Sequence, residues 1–286
     1  MEHNRTMPSG AIAAFSEGLT PEQRAARLHG EAIHLSGIVI RGFTEKPRRW
    51  CFGCDDAAPV TSLDVCVRCG RPGLVEYRHV WDDDDLGWPG PADWPTLFYM
   101  DPHQSKPTAC AWFRVDPNDG WWQIHELEVA GNAAQVKREV ESFEQAHHLE
   151  VAWRKGDPKI TAQGNQFAQE FEGRAFTIRE AFEEVGFSFE EANTNFSVAI
   201  GRIEQALQPN RYTRVPTLRI HRSCTKTIYQ VTHFQFEQGR SRGGGPSETK
   251  ELPARRHSDF PALLRYLAMD EPEYRFLKAV EHRGTF

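Results

Sequence analysis

The stretch "LFYMDPHQSKPTACAWFRVDPNDGWWQIHELEV", residues 97–129, decides the fold. It contains three apolar segments separated by two polar turns, which predict strands at Leu97–Met100, Ala109–Val115 and Trp121–Val129. The second turn, "DPNDG", is typical of a hairpin. The first strand ends on a carboxylate, Asp101, beside a proline and a histidine. A hairpin does not require a charge at that place, and a metal site would explain it.

The chain beyond this hairpin alternates between helices and strands. Two further strands are predicted at Glu150–Arg154 and Thr217–Ser223. Helices are predicted at Asn132–His148, Thr177–Gly186, Phe196–Leu207, about 225–236 and Asp259–Met269. Three hairpin strands followed by helix-connected strands give a mixed sheet. We therefore predict an α/β fold with a five-stranded mixed sheet flanked by helices.

A cysteine-rich segment precedes the sheet. It reads "CFGCDDAAPVTSLDVCVRCG", and its two C-x2-C pairs are Cys51, Cys54, Cys66 and Cys69. This spacing is typical of a tetrahedral thiolate site for Zn²⁺, and four protein ligands indicate a structural ion. We expect Gly53 and Gly70 to relieve the backbone within the two turns. A ribbon this small lacks a core, so the metal would supply its folding energy. The alternative is a set of reduced thiols.

Composition limits the class of protein. The chain has 286 residues and a formal net charge of −6. An acidic balance argues against a globally basic nucleic-acid coat, although local basic surfaces can still bind nucleic acid. No apolar run approaches the roughly 18 residues of a membrane span, and the N-terminus lacks the apolar core of a signal peptide. We expect a soluble, cytosolic type of protein.

The composition changes along the chain and predicts four regions. They are an N-terminal helix and connector (1–45), a zinc ribbon (46–80), a linker (81–96) and the α/β domain (97–286). The helix of the first region is predicted at Thr20–Gly30, between a capping threonine and a terminating glycine. The linker is rich in Asp, Pro, Gly and Trp. Its four consecutive aspartates are typical of a solvated loop, with calcium binding as the alternative.

Three aspartates lie at the end of a predicted strand or at the start of a helix. Asp101 ends the first strand, Asp157 follows the fourth, and Asp259 opens the terminal helix. Adjacent first and fourth strands would bring the first two together, and a packed terminal helix would add the third. Converging carboxylates repel one another unless cations neutralise them, and two Mg²⁺ or Mn²⁺ ions suit such oxygen ligands. Each aspartate alone is also typical of a turn or a cap.

Two glutamates on the third predicted strand, Glu126 and Glu128, share one face because strand side chains alternate. Either is a candidate for an additional acidic ligand or for ordering a metal-bound water. The alternative is an exposed polar face. His103, next to Asp101 in the turn, is a candidate for a phosphate contact, or a turn residue without a role.

These motifs resemble a known family. The stretch Tyr99–Val129 resembles the opening of the nuclease domain of tailed-phage terminase large subunits, a ribonuclease H-like domain with a strand-ending aspartate in a DPH-type motif. "RKGDPK" (Arg154–Lys159) resembles the segment with the second metal-binding aspartate, and "HSDFPALLRYLA" (His257–Ala268) the closing motif with the third. "TLRIHRSCTKTIYQVTHFQF" (Thr217–Phe236) resembles the late strand and helix, and residues 19–43 resemble the connector.

The resemblance implies a two-metal DNA endonuclease that cuts concatemeric DNA during viral packaging. Asp101, Asp157 and Asp259 would hold Mg²⁺ or Mn²⁺. The implied partners are double-stranded DNA, a terminase ATPase, the small terminase subunit and the portal, in the cytoplasm of the infected bacterial host. No GxxxxGK[ST] phosphate loop occurs in the sequence, so we expect the ATPase to be a separate chain or to have been removed.

DNA is a polyanion and the chain is acidic, so basic residues must cluster. The predicted DNA-contact residues are Arg240, Arg242, Lys250, Arg255, Arg256 and Lys159. Such contacts position DNA without reading its sequence, and they weaken with salt. The alternative is a solvated loop.

Two other functions stay open at this point. The chain could be a zinc-bearing, non-catalytic docking or scaffold subunit of the packaging machinery. It could also be a different ribonuclease H-like nuclease, such as a Holliday-junction resolvase. Metal-dependent cutting of DNA separates the first alternative from a nuclease.

Overall fold

The computed structural model describes residues 37–58, 64–103, 106–157, 170–171, 174–175, 177–238, 249–254 and 256–277. The chain divides into two compact units, one of residues 1–39 and 233–256 and the other of residues 40–232 and 257–286. The predicted helix at Thr20–Gly30 lies outside the described residues. Among the helices in the described ranges, none combines the length and the apolar character that a membrane crossing requires.

The described strands are β1 (Arg48–Cys51), β2 (Asp56–Ala58), β3 (Val75–Tyr77), β4 (Val80–Trp81), β5 (Thr96–Asp101), β6 (Thr108–Val115), β7 (Trp121–Val129), β8 (Val151–Gly156), β9 (Glu170–Phe171), β10 (Arg174–Ala175), β11 (Glu190–Glu191), β12 (Leu218–His221), β13 (Phe236–Gln238) and β14 (Thr249–Pro253). The described helices are α1 (Asp83–Leu86), α2 (Ala133–Ala146), α3 (Ile178–Glu184), α4 (Phe196–Ala206), α5 (Thr225–His233) and α6 (Asp259–Asp270).

The larger unit is built on a seven-stranded mixed sheet in the order β11-β8-β5-β6-β7-β12-β4. The five predicted strands form its centre, so the predicted mixed α/β fold is confirmed. Strands β5, β6 and β7 are antiparallel neighbours, β8 lies parallel to β5, and β12 lies parallel to β7. The prediction of five strands missed β4 and β11, because two residues are too few to show an alternating pattern.

Four central strands end at the same edge of this sheet. Because β6 is antiparallel to both of its neighbours, β5 and β7 run in the same direction, and β8 and β12 follow them. We call the edge at which these four strands end the carboxyl edge. All six residues of β5 are buried, as expected for a central strand covered on both faces.

One face of the sheet carries α2 and α3. Side chains of the central strands, among them Phe98 and Trp112, form a buried core with Val136, Val140 and Phe182 of these helices. The capping residues predicted for both helices are in place. The side chains of Asn132 and Thr177 each accept a hydrogen bond from the backbone three residues later.

The opposite face carries α6, which packs against β5 and β6, with α4 packed on α6. Leu263, Leu264 and Leu267 of α6 are buried. The backbone N–H of Phe260 donates a hydrogen bond of 3.0 Å to Oε1 of Gln230, which ties α5 to the first turn of α6. The start of α6 is therefore fixed both by the sheet and by a neighbouring helix.

The cysteine segment forms a small three-stranded sheet in the order β2-β1-β3. Among its described residues, Cys51, Ala58 and Cys66 form a small buried cluster, and Trp50 of β1 and Tyr77 of β3 are also buried. The segment predicted as a linker contributes β4 to the edge of the large sheet, where Trp81 pairs with His221. The four-aspartate run forms α1, and Arg78 makes ion pairs there with two of these aspartates.

In the smaller unit, β13 pairs with β14 in antiparallel orientation. Ile38 forms a bridge with Gln235, and the backbone N–H of Val39 donates to the carbonyl of Phe234 at 2.9 Å. The helix predicted to reach residue 236 ends at His233, because the next residues enter these pairs.

Candidate functional site

Asp101 is the last residue of β5, and only 6% of its surface is exposed. Burial raises the pKa of this carboxyl to about 7, and the neighbouring charge of Asp157 adds to the increase. His103 opposes the shift. An ionised carboxylate at this position is therefore unfavourable in the fold unless a cation lies beside it.

Asp157 directly follows β8. Met100 and Gly156 are paired in the parallel ladder of β5 and β8, so the next residues, Asp101 and Asp157, end adjacent strands. Adjacent strands are about 4.8 Å apart. A side chain at position 156 would place its Cβ 2.9 Å from Cε2 of Phe189, so glycine allows this aromatic ring to pack beside the strand end.

Asp259 opens α6 and faces two cationic side chains from the turn between β5 and β6. Its Oδ1 lies 3.0 Å from Nζ of Lys106 and 3.4 Å from Nε2 of His103. Burial alone would raise the pKa of Asp259, but hydrogen bonds from His103 and Lys106 hold it below its usual value. The same contact with Asp259 raises the pKa of His103.

The structure therefore brings parts of the predicted site together. One carboxylate oxygen each of Asp101 and Asp259 and one ring nitrogen of His103 all lie within 4.8 Å of one another. Asp157 lies at the end of the neighbouring strand. The pKa of the buried Tyr266 is raised mainly by burial, and the negative charges of Asp101 and Asp157 raise it further. We call Asp101, Asp157 and Asp259 the carboxylate cluster.

The contact of Lys106 with Asp259 was not predicted from the sequence, and His103 was predicted only as a phosphate contact or a turn residue without a role. Both residues follow Asp101 in the same turn. That proximity in sequence was the available signal, but the pairing with Asp259 arises only when α6 packs across the strand ends. The carboxylate cluster thus has two basic neighbours.

The two glutamates predicted as further acidic ligands contact α5. Glu126 accepts hydrogen bonds of 2.7 Å from the backbone N–H groups of Lys226 and Thr227. Glu128 forms an ion pair with Nζ of Lys226. Burial raises the pKa of Glu126, against the effect of these hydrogen bonds. Glu126 caps the N-terminus of α5, and a role for either residue as a ligand stays a prediction.

Most of the predicted DNA-contact residues cannot be placed. Four of them, Lys159, Arg240, Arg242 and Arg255, lie outside the described residues. Lys250 lies in β14, and Arg256 is exposed. Their contact with DNA stays a prediction.

The four cysteines of the ribbon form a second cluster, which we call the thiol cluster. The Sγ atoms of all four lie within 4.8 Å of one another. The Sγ atoms of Cys51 and Cys69 are 3.6 Å apart, and those of Cys54 and Cys66 are 3.8 Å apart. Four ligands at the usual Zn–S distance of about 2.3 Å form a tetrahedron with edges of about 3.8 Å. The sulfur positions therefore fit a zinc ion.

The backbone of the second turn favours a thiolate. Hydrogen bonds from the backbone of Cys69 and Arg68 lower the pKa of Cys66 to about 6. Gly70 has a φ of +72°, a conformation that favours glycine, as predicted. At position 53 glycine is favoured by lack of space and not by backbone conformation, because a Cβ there would lie 2.6 Å from Cδ of Arg71.

No protein-family model and no curated protein sequence matches the chain. Among solved structures, it resembles the large terminase from a thermophilic bacteriophage, with 12% identity and a TM-score of 0.49 over 94% of this chain and 54% of that chain. It also resembles the P22 large terminase nuclease domain, with 12% identity and a TM-score of 0.45 over 68% of this chain and 90% of that one.

A third similar structure is the large terminase nuclease from thermophilic phage G20c, with 11% identity and a TM-score of 0.37 over 63% of this chain and 84% of that one. The chain spans about half the length of the first of these three proteins.

Proposed function

We propose that the chain is a divalent-metal-dependent DNA endonuclease of a viral packaging terminase, which cuts concatemeric DNA with two bound ions. What supports this proposal is that Asp101, Asp259 and His103 have ligand atoms within 4.8 Å of one another, while Asp157 follows the adjacent strand end. Asp101 is buried between an aspartate on the adjacent strand end and one at the start of α6. Such a cluster costs free energy in a folded protein unless it binds cations.

The donor set suits Mg²⁺ or Mn²⁺, which prefer carboxylate oxygens. Asp101, Asp157 and Asp259 would hold these ions. When bound, such ions activate water and stabilise both the attacking and the leaving oxygens of a phosphodiester displacement.

The cationic neighbours have a separate role in this proposal. His103 and Lys106 hold the carboxylate of Asp259 in place from the turn after β5. Their side chains are 37% and 42% exposed, so they are also accessible to a phosphate that enters the site. A substrate phosphate would therefore meet two basic side chains beside the carboxylates.

We further propose that the thiol cluster holds one structural Zn²⁺. Four protein ligands leave no position for water or substrate, so this ion would stabilise the ribbon without taking part in cleavage. The proposed partners are double-stranded DNA, a terminase ATPase, the small terminase subunit and the portal, in the cytoplasm of the infected bacterial host.

Nicking of supercoiled plasmid by the purified full chain tests the nuclease. With Mg²⁺ or Mn²⁺, the relaxed and linear forms should accumulate. Asp101→Asn should slow this reaction by at least about 100-fold, because metal-ion stabilisation contributes several kcal/mol and each 1.36 kcal/mol is a factor of ten. Measurement of the rates on agarose gels gives the comparison.

Asp84→Asn is the matched control, because it makes the same chemical change at an exposed aspartate of α1. It should nick at the wild-type rate. Equal nicking by Asp101→Asn and by the wild type would contradict the proposed site. An intact plasmid, together with normal binding to packaging partners, would favour the scaffold alternative.

A further inference from the structure

The exposed side of α5 begins at the same edge of the sheet as the carboxylate cluster. Strand β12 ends at the carboxyl edge, and α5 follows it after a short turn. Across the sheet, Asp101 is paired with Ala109, and Ala109 with Glu128. Glu128 therefore lies two strands from Asp101, a distance of about 10 Å. The start of α5 is thus beside the carboxylates.

A lysine marks this position. Lys226, in the first turn of α5, forms an ion pair with Glu128, and 52% of the lysine side chain is exposed. An exposed pair of this kind contributes little to stability, so the ammonium group can also contact another anion. A DNA strand carries one phosphate per 3.4 Å along the helix axis, so a strand bound at Asp101 presents further phosphates within about 10 Å.

An aromatic pair joins α5 to the segment that precedes Asp259. Tyr229, one turn beyond Lys226, is 49% exposed. Its ring contacts that of His257 edge-on, with ring centroids 5.2 Å apart. His257 has a φ of +58° and lies two residues before Asp259. The hydrogen bond from the backbone of Phe260 to Gln230, the residue after Tyr229, holds α5 against the start of α6 beside this ring contact.

A large exposed tyrosine beside a basic residue is a combination that binds nucleic-acid strands, because the ring contacts sugar or base and the cation contacts phosphate. Apolar docking of a protein would instead require a wider aliphatic surface, and the other exposed residues of this helix, Thr225 and Lys226, are polar. The geometry therefore favours a nucleic-acid strand as the occupant.

We propose that Lys226, Tyr229 and His257 form a contact surface for the DNA strand on one side of the carboxylate cluster, and that they position the substrate for cleavage. This inference rests on the proposed nuclease function. It differs from the predicted basic loop, because it assigns DNA contact to a helix that adjoins the metal-binding residues.

The test measures DNA binding without cleavage, in the Asp101→Asn background of the full chain. Fluorescence anisotropy with a fluorescein-labelled DNA duplex gives the dissociation constant at several salt concentrations. Adding Lys226→Ala should weaken binding and lower the slope of log affinity against log salt by about 1, because one phosphate contact is lost.

Adding Tyr229→Ala should weaken binding about fivefold or more with an unchanged salt slope, because the ring carries no charge. Tyr229→Phe should bind as the parent does, since it keeps the ring. The matched controls are Tyr212→Ala, at a tyrosine that is 92% exposed on the loop before β12, and Lys46→Ala, at an exposed lysine. Both should leave the affinity unchanged.

In a nuclease with an active Asp101, the same variants should raise KM for DNA more than they lower kcat. Affinities within twofold of the parent for both Lys226→Ala and Tyr229→Ala would overturn the inference, while plasmid nicking by the wild type would still support the proposed function. A chain that neither nicks plasmid nor binds the duplex would overturn both.

Discussion

The carboxylate cluster and the thiol cluster both suit metal ions, but they relate to the fold in opposite ways. The thiol cluster comes from two turns that are close in sequence, inside a ribbon with few buried apolar residues. The carboxylate cluster comes from two strand ends and a helix start that only the folded sheet brings together. The thiol cluster lies in a ribbon with a small apolar core, whereas the carboxylate cluster lies at the edge of the sheet that forms the main core.

This difference separates two kinds of dependence on metal. The strands of the ribbon are three or four residues long and its core is small, so a metal bound by the thiol cluster would supply much of its stability. The carboxylates are held by a packed sheet and helix, and His103 and Lys106 already balance part of their charge. The fold therefore keeps the carboxylate cluster in place at a cost in free energy, whereas we expect the ribbon to depend on the metal proposed for the thiol cluster.

The largest expected effect is the loss of the ribbon on removal of one thiol. Cys66→Ser should lower the zinc content from one ion per chain to near zero, since structural zinc contributes about 10–16 kcal/mol of binding free energy in small metal-dependent domains. Amide hydrogen exchange should become fast in β1 and β3 while β5 and β6 keep their protection. Mass spectrometry measures both exchange and metal content.

Val67→Ser is the matched control, because it places the same residue type at an exposed position next to Cys66. It should retain both zinc and the protection of the ribbon. If Cys66→Ser kept the slow exchange of β1 and β3, the ribbon would be stable without its metal, and the contrast between the two clusters would disappear.

The same contrast explains what could be predicted from sequence. The thiol cluster depends on spacing within one segment, so its four cysteines could be identified directly. The strands of the hairpin could be identified because their apolar runs and turns are local. The short strands β4 and β11 could not, because each is formed only by pairing with a neighbour that is already in the sheet.

The candidate site was harder to predict in full. A strand-ending aspartate is visible in sequence, and its proximity to Asp157 follows from parallel pairing. The contacts of His103 and Lys106 with Asp259 depend on how one turn and one helix pack, which no local pattern encodes. The capping of α5 by Glu126 is likewise a contact between residues far apart in the chain.

A second effect, of intermediate size, concerns the cost of the carboxylate cluster. Asp101 has a pKa of about 7 in the fold against 3.8 as its ordinary value. The folded chain therefore holds a proton there between pH 4 and 7 that the unfolded chain has lost, so stability falls as the pH rises through this range. Without added Mg²⁺ or Mn²⁺, Asp101→Asn should be more stable than the wild type at pH 8, by about 4 kcal/mol at most.

This advantage should shrink as the pH falls from 8 to 5, and added Mg²⁺ should reduce it at pH 8 by stabilising the wild type. Urea unfolding at each pH measures it, with Asp84→Asn as the control that should show no such trend. If the difference in stability between Asp101→Asn and the wild type did not change with pH, ionisation of Asp101 would not destabilise the fold.

The smallest effect should come from the far end of α6, which helps to hold the frame of the carboxylate cluster. The hydroxyl of Tyr99 donates a hydrogen bond of 2.7 Å to Oδ2 of Asp270, whose Oδ1 lies 2.7 Å from Nζ of Lys155. Tyr99→Phe removes one hydrogen bond to a charged group and should lower the free energy of unfolding by about 2 kcal/mol.

Zinc content should stay at one ion per chain, and plasmid nicking should stay within a few fold of the wild type, because Asp259 at the other end of α6 keeps its own partners. Urea unfolding and nicking assays check this, with Tyr212→Phe as an exposed control. Loss of zinc in Tyr99→Phe would show that the two clusters are not independent, since the thiol cluster would then depend on the packing of α6.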